Sequence, residues 1–202
     1  MVQVYFVRHA QSNGQQHNDH CRELTQKGLQ DRDLATRFLA GRSIVRVLSS
    51  PYRRAVDTIA PFADGAGLPI EMVDDFRERE LPGGWIEDFD AYTRRQWQDF
   101  DFKLPGGESL AEVQERNVGA LLRVLAGHRG GNIAIGSHGT ALCTVLRWRD
   151  PAFGYEQFLA IQRLMPWVVR FAFEGLRCVE WQAYDLFKMQ ADGVAVEGVE
   201  KR

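Results

Sequence analysis

The chain has 202 residues, 45% hydrophobic and 26% charged, the balance of a globular domain able to bury a core without disulfides or metals. With 25 basic against 27 acidic residues, a net charge of −2 excludes a global field drawing it to nucleic acid or membrane. Any attraction for anions must therefore be local.

In chain order, residues 2–7 read as a short buried strand that ends on two cation-capable side chains, Arg8 and His9, within "VYFVRHAQSNG". The polar stretch "HNDHC" offers His17, His20 and Cys21 as metal ligands, but lacks a second ligand pair at zinc-like spacing and reads as a solvated loop. Helical periodicity runs from about Thr25 to Leu39. A second β-rich run, 44–48, leads into "SSPYRRA", where Pro51 suits the first position of a helix. Residues 69–73 form a possible strand before "FRERELPGGW". Residues 85–102 are rich in aromatics (Trp85, Phe89, Tyr92, Trp97, Phe100, Phe102), with Arg94 and Arg95 interleaved. This segment reads as an amphipathic helix packing on the domain, or as a wall over a site whose arginines meet an acidic substrate tail; its aromatics also offer a homodimer surface.

Residues 109–125 carry a clear amphipathic stripe, 132–136 a buried strand running into "SHGTA", and 167–181 two alternating strands around Glu174-Gly175. No linker or repeat divides the chain, so residues 1–202 are expected to form one domain. Three well-separated cysteines, Cys21, Cys143 and Cys178, point to free thiols in a reducing compartment. With neither a leader-like pattern nor an apolar run of membrane length, a cytoplasmic location is expected.

Strands alternating with helices indicate an α/β layered domain with a largely parallel sheet, whose sites lie beyond the carboxyl ends of strands. Three such ends carry Arg8 and His9, Arg53 and Arg54, and His138. Guanidinium forks match phosphate oxygens, and the backbone N–H of Gly139 opens a helix toward an anion. A phosphate monoester carries about −1.5 to −2 charges, which suits such a concentration of cations. His9 and His138 can serve as nucleophile and charged donor, and Glu78 or Glu80 can supply the proton a leaving alkoxide needs. No metal or cofactor is required, and a small-molecule phosphate ester is the expected ligand.

The motifs "VRHAQS", "LTQKG", "SSPYRRAVDT", "FRERELP", "PGGES" and "GSHGT", in this order, resemble those of the histidine phosphatase superfamily, phosphoglycerate-mutase-like branch. The resemblance implies a three-layer α/β/α sandwich with a mostly parallel central sheet, and a lid or wall at about 80–107. It implies His9 as the phosphorylated nucleophile, His138 as the second histidine, Arg8 and Arg54 as the phosphate clamp, and Glu78 as the acid/base. Gly139 and Gln15 join the phosphate-binding set, Gln15 standing where many members carry asparagine. Pro82 departs from a glycine of the family pattern, fixing φ and removing an N–H close after Glu78. The implied activity is a metal-independent phosphatase; a phosphomutase or a non-catalytic phospholigand-binding protein are the alternatives.

Overall fold

A computed structural model describes residues 1–83 and 86–191; Trp85 of the aromatic segment lies outside the described residues. The strands are β1 (Val2–Arg8), β2 (Ile44–Ser49), β3 (Ile70–Met72), β4 (Asn132–Ser137), β5 (Trp167–Glu174) and β6 (Arg177–Tyr184). They form one six-stranded sheet of order β3-β2-β4-β1-β5-β6. The first four in that order are parallel, and the hairpin β5–β6 extends the sheet with antiparallel pairings.

The helices are α1 (Gln26–Leu39), α2 (Arg53–Ala66), α3 (Phe89–Gln98), α4 (Leu110–Ala126), α5 (Gly139–Arg149), α6 (Tyr155–Ile161) and α7 (Leu186–Ala191). One core joins Val4, Phe6, Ile133 and Ile135 to α4 and α5; the other joins Tyr5, Val7 and Ala134 to α1 and α2. Alternate residues of one strand thus feed opposite faces, and helices cover both: the expected three-layer α/β/α sandwich. Among the described residues no helix is long and apolar enough to cross a membrane.

Local signals set several boundaries. Thr25 caps α1 by accepting from Gly28 N, and Ser109 with Glu112 closes a capping box at α4. Pro51, expected at the first helical position of α2, stands before the helix instead. The helix starts at Arg53, whose amide is taken by the carbonyl of His20. Pro61 lies inside α2, where its missing N–H leaves the Asp57 carbonyl free; Arg32 Nη1 donates to that oxygen at 3.0 Å.

Candidate active site

Sheet register brings the three strand ends together. Arg8 of β1 lies beside Ser137 of β4, and Gly136 of β4 beside Ser49 of β2. The next residues, His9, His138 and Ser50, therefore emerge abreast at the carboxyl edge. Two further contacts steady the loop after His9. Thr58 of α2 accepts from Ala10 N at 3.0 Å, and Gly28 of α1 packs so closely that a Cβ there would fall 2.1 Å from Gln11 O.

This edge opens into a cleft of about 230 Å³ lined by Arg8, His9, Arg54, Glu78 and Gly139, all anticipated from sequence. His9 is buried, and its Nδ1 lies 2.7 Å from Ala10 O. A carbonyl only accepts, so Nδ1 carries the hydrogen and Nε2 keeps its lone pair. Burial, with the Arg54 and Arg8 guanidinium groups beside it, pushes His9 well below the usual imidazole range, which keeps the ring neutral.

Arg8 is held from behind: Nη1 donates to Ile161 O at 2.8 Å and Leu164 O at 3.3 Å. A Cβ at residue 139 would sit 3.1 Å from three of its guanidinium atoms, so Gly139 gives the fork its room. Arg54, also buried, donates through Nη1 to Asp19 O at 2.7 Å. Arg53 instead lies exposed, paired with Glu23 and Asp57. The Nε atoms of Arg8 and Arg54 are buried and have no hydrogen-bond partner among the described residues.

His138 stands behind His9 rather than on the cleft wall. It is fully buried, its ring centroid 5.4 Å from that of His9, with Nε2 2.8 Å from Ser50 Oγ and Nδ1 without a partner among the described residues. Burial, then Arg54, His9 and other cations, pushes it well below the usual imidazole range. The ring is thus neutral here, not the charged donor expected from sequence, because the same cations that await an anion repel a proton.

Glu78 rests on the first turn of α5. Oε1 accepts from Arg79 N (2.8 Å) and Ala141 N (3.0 Å), Oε2 from Thr140 N (3.0 Å). A carboxylate offers about four acceptor positions, so Oε2 keeps one open. The loop carrying Glu78 is fixed by α4. Arg116 donates to the carbonyls of Asp75, Arg77 and Glu78 and pairs with Glu108 at 2.7 Å. Glu108 also accepts from Glu80 N at 2.8 Å, and Glu80 O accepts from Glu108 N at 2.9 Å. Pro82 packs against Gly107, where a Cβ would meet its Cδ at 2.9 Å. Glu80 is left exposed and away from the cleft lining.

Three expectations need correction. Gln15 is exposed and does not line the cleft, because the loop turns its chain outward through Asn13 Oδ1. The stretch "HNDHC" is only partly solvated: Asp19 and the following Arg22 line the cleft. Arg94 and Arg95 do not; their guanidinium groups stack on Tyr155 (5.3 Å) and Phe102 (3.8 Å). Within α3, Tyr92 and Trp97 are buried while Phe89 and Thr93 line the cleft, so one helix both packs and forms wall. Sequence reasoning also passed over Arg79, although it stands in the "RER" frame that carries Glu78. Four guanidinium groups (Arg8, Arg22, Arg54, Arg79) thus face two carboxylates (Asp19, Glu78), a local positive field in a chain of net charge −2.

Comparison with known proteins follows the same lines. Residues 4–162 match the family described as the histidine phosphatase superfamily (branch 1). A bifunctional protein of Mycobacterium tuberculosis is 32% identical over 133 residues, 61% of this chain, and the chain spans only 36% of that relative. A probable phosphoglycerate mutase of Yersinia pestis is 31% identical over 164 residues, covering 72% of this chain and 74% of the relative. The same fold recurs in a mycobacterial glucosyl-3-phosphoglycerate phosphatase solved with inorganic phosphate: TM-score 0.71, 20% identity, 91% of this chain and 96% of that one. It recurs too in a phosphoserine phosphatase of Entamoeba histolytica: TM-score 0.72, 17% identity, 92% and 99% covered.

Proposed function

The chain belongs to the histidine phosphatase superfamily, and from that premise we propose that it hydrolyses small phosphate monoesters through a phosphohistidine on His9. The observation that carries the proposal is the contact of His9 Nδ1 with Ala10 O, which puts the hydrogen on Nδ1 and leaves Nε2 its lone pair in a cleft that Arg8 and Arg54 also line.

Arg8 and Arg54, which line the cleft beside His9, clamp the phosphoryl oxygens and neutralise the dianion. His9 Nε2 attacks phosphorus, the bond to the alcohol oxygen breaks, and the departing oxygen takes a proton from Glu78. His138 then donates from Nδ1 to the phosphoryl group held on its neighbour. Water, giving its proton back to Glu78, attacks phosphorus and releases inorganic phosphate. No step uses a metal or cofactor. The segment at about 80–107 supplies the wall through Phe89 and Thr93 of α3. Free thiols at Cys21, Cys143 and Cys178 support a cytoplasmic setting.

A mutase reading, in which the phosphoryl group returns to a bound hydroxy acid, draws support from the Yersinia relative. Incubation with a radiolabelled ester is expected to trap an acid-labile, alkali-stable adduct that His9→Ala abolishes together with turnover. Undiminished turnover by His9→Ala would sink the proposal. Conversion of 3-phosphoglycerate that depends on bisphosphate primer, with little phosphate released, would select the mutase.

A further inference from the structure

We propose that Ser50 is a positioning residue for the second histidine: its hydroxyl donates to His138 Nε2, which puts the ring hydrogen on Nδ1 and makes that atom the donor to the phosphoryl group. The inference rests on the phosphatase reading above and deepens it to the device that selects the donor atom.

Ser50 follows β2 and is fully buried. Its N–H donates to Gly136 O at 2.9 Å, and its carbonyl accepts from Ser49 Oγ at 2.8 Å. Its Oγ accepts from Tyr52 N at 3.2 Å and lies 2.8 Å from His138 Nε2. The hydroxyl hydrogen has no other acceptor among the described residues, so it goes to Nε2, which presents a lone pair.

A neutral imidazole carries one hydrogen, so a ring that accepts at Nε2 holds it at Nδ1. The opposite tautomer would leave the buried Ser50 hydrogen with no acceptor, at the loss of one hydrogen bond. It would also leave a lone pair on Nδ1, which has no partner among the described residues and is the nitrogen left for the phosphoryl oxygens. Burial and the neighbouring cations keep this ring neutral, and that is why Ser50 matters. A charged ring would carry both hydrogens and donate from Nδ1 whatever Ser50 did.

The two histidines thus reach the same tautomer by opposite means. An acceptor, Ala10 O, draws the hydrogen to Nδ1 of His9; a donor, Ser50, keeps it off Nε2 of His138. With ring centroids 5.4 Å apart, one ring offers a nucleophilic lone pair and the other a hydrogen.

The test reads the tautomer directly. In protein with nitrogen-15 in its histidine rings, at about pH 7.5, long-range proton–nitrogen correlation separates the two neutral forms, and His138→Asn identifies the signal. The hydrogen is expected on Nδ1 in the wild type and in Ser50→Thr, and at least partly on Nε2 in Ser50→Ala and Ser50→Cys. In folded Ser50→Ala, kcat should fall about 10–100-fold, the range for losing a hydrogen bond to a charged group. Alkyl and nitrophenyl esters should slow alike, because the contact is to the phosphoryl group and not to the leaving oxygen. Ser50→Thr, which keeps the hydroxyl, should retain most of the rate. In a His138→Ala background, Ser50→Ala should bring no further loss, because Ser50 acts only through that ring.

A wild-type hydrogen on Nε2 overturns the proposal, whether or not any variant folds. So does full kcat in folded Ser50→Ala or Ser50→Cys, or an equal loss with and without His138. Failure of the wild type to hydrolyse any ester, nitrophenyl phosphate included, rejects the phosphatase reading instead. The tautomer and the calorimetric affinity for inorganic phosphate, about 10-fold weaker in Ser50→Ala, then read the role of Ser50. An unchanged tautomer or affinity in that variant overturns it.

Discussion

At the residue scale, Glu78 has two duties that can be separated by experiment. Its open acceptor position on Oε2 serves proton transfer, while its three backbone partners tie the loop to α5. Glu78→Gln removes the transferable proton, so alkyl esters should slow by roughly 10²–10⁴-fold and nitrophenyl esters, whose leaving group needs little help, far less. The amide also turns an NH2 toward a backbone donor, so stability should fall by about 1–3 kcal/mol in urea denaturation. Glu80→Gln, altering an exposed side chain, should leave the alkyl-to-nitrophenyl ratio as in the wild type. If Glu80→Gln showed the selectivity instead, the acid would be misassigned.

At the element scale, α4 holds the acid loop against the sheet. Arg116 directs its donors to the carbonyls of Asp75, Arg77 and Glu78 and to Glu108, with both side chains mostly buried. Burial works to raise Glu108, but Arg116, the amide of Glu80 and Arg77 together hold it below the usual carboxylate range. Removing one member strands the other, so Arg116→Ala should cost about 3–5 kcal/mol. Arg116 acts as a positioning residue: Arg116→Lys, folded but without the fork, should lose kcat on alkyl esters more than on nitrophenyl esters. An equal loss on both would mean that the strut serves folding alone. The same scale explains α3. Its amphipathic pattern was legible in the sequence, but not which residues face the cleft, because that depends on its packing against α6 through Trp97 and Phe158.

At the scale of the whole molecule, the cost of an anion site shows as pH dependence. His9 and His138 are buried neutral, both well below the ordinary histidine value of about 6.5. Above that value neither state binds a proton at these positions. As pH falls below about 6.5 the unfolded chain protonates first, so stability declines until the folded-state values are reached. The urea midpoint should therefore drop between pH 8 and pH 5.5, and inorganic phosphate, binding the folded cleft, should restore part of the loss. A midpoint that held or rose on acidification would contradict the neutral, cation-flanked pair. For the same reason hydrolysis should persist to a pH below the ordinary imidazole range before His9 protonates.

What the sequence determined by itself is the layered architecture and the roster at the strand ends. Alternation in β1, the stripe of α4, and the caps at Thr25 and Ser109 are carried by near neighbours along the chain. Arg8, His9, Arg54 and Glu78 were legible because a motif states residue types in order. Only the tertiary structure decided how these groups meet: His138 behind His9, Glu78 seated on α5, Gln15 turned outward, and Arg22 and Arg79 turned in. Those outcomes depend on strand register and on partners well separated along the chain, such as Arg116 with Glu78, 38 residues apart, or Gln96 with Arg79, 17 apart. Local pattern carries no record of such distances, because a side chain's direction is settled by which distant donors and acceptors folding leaves free.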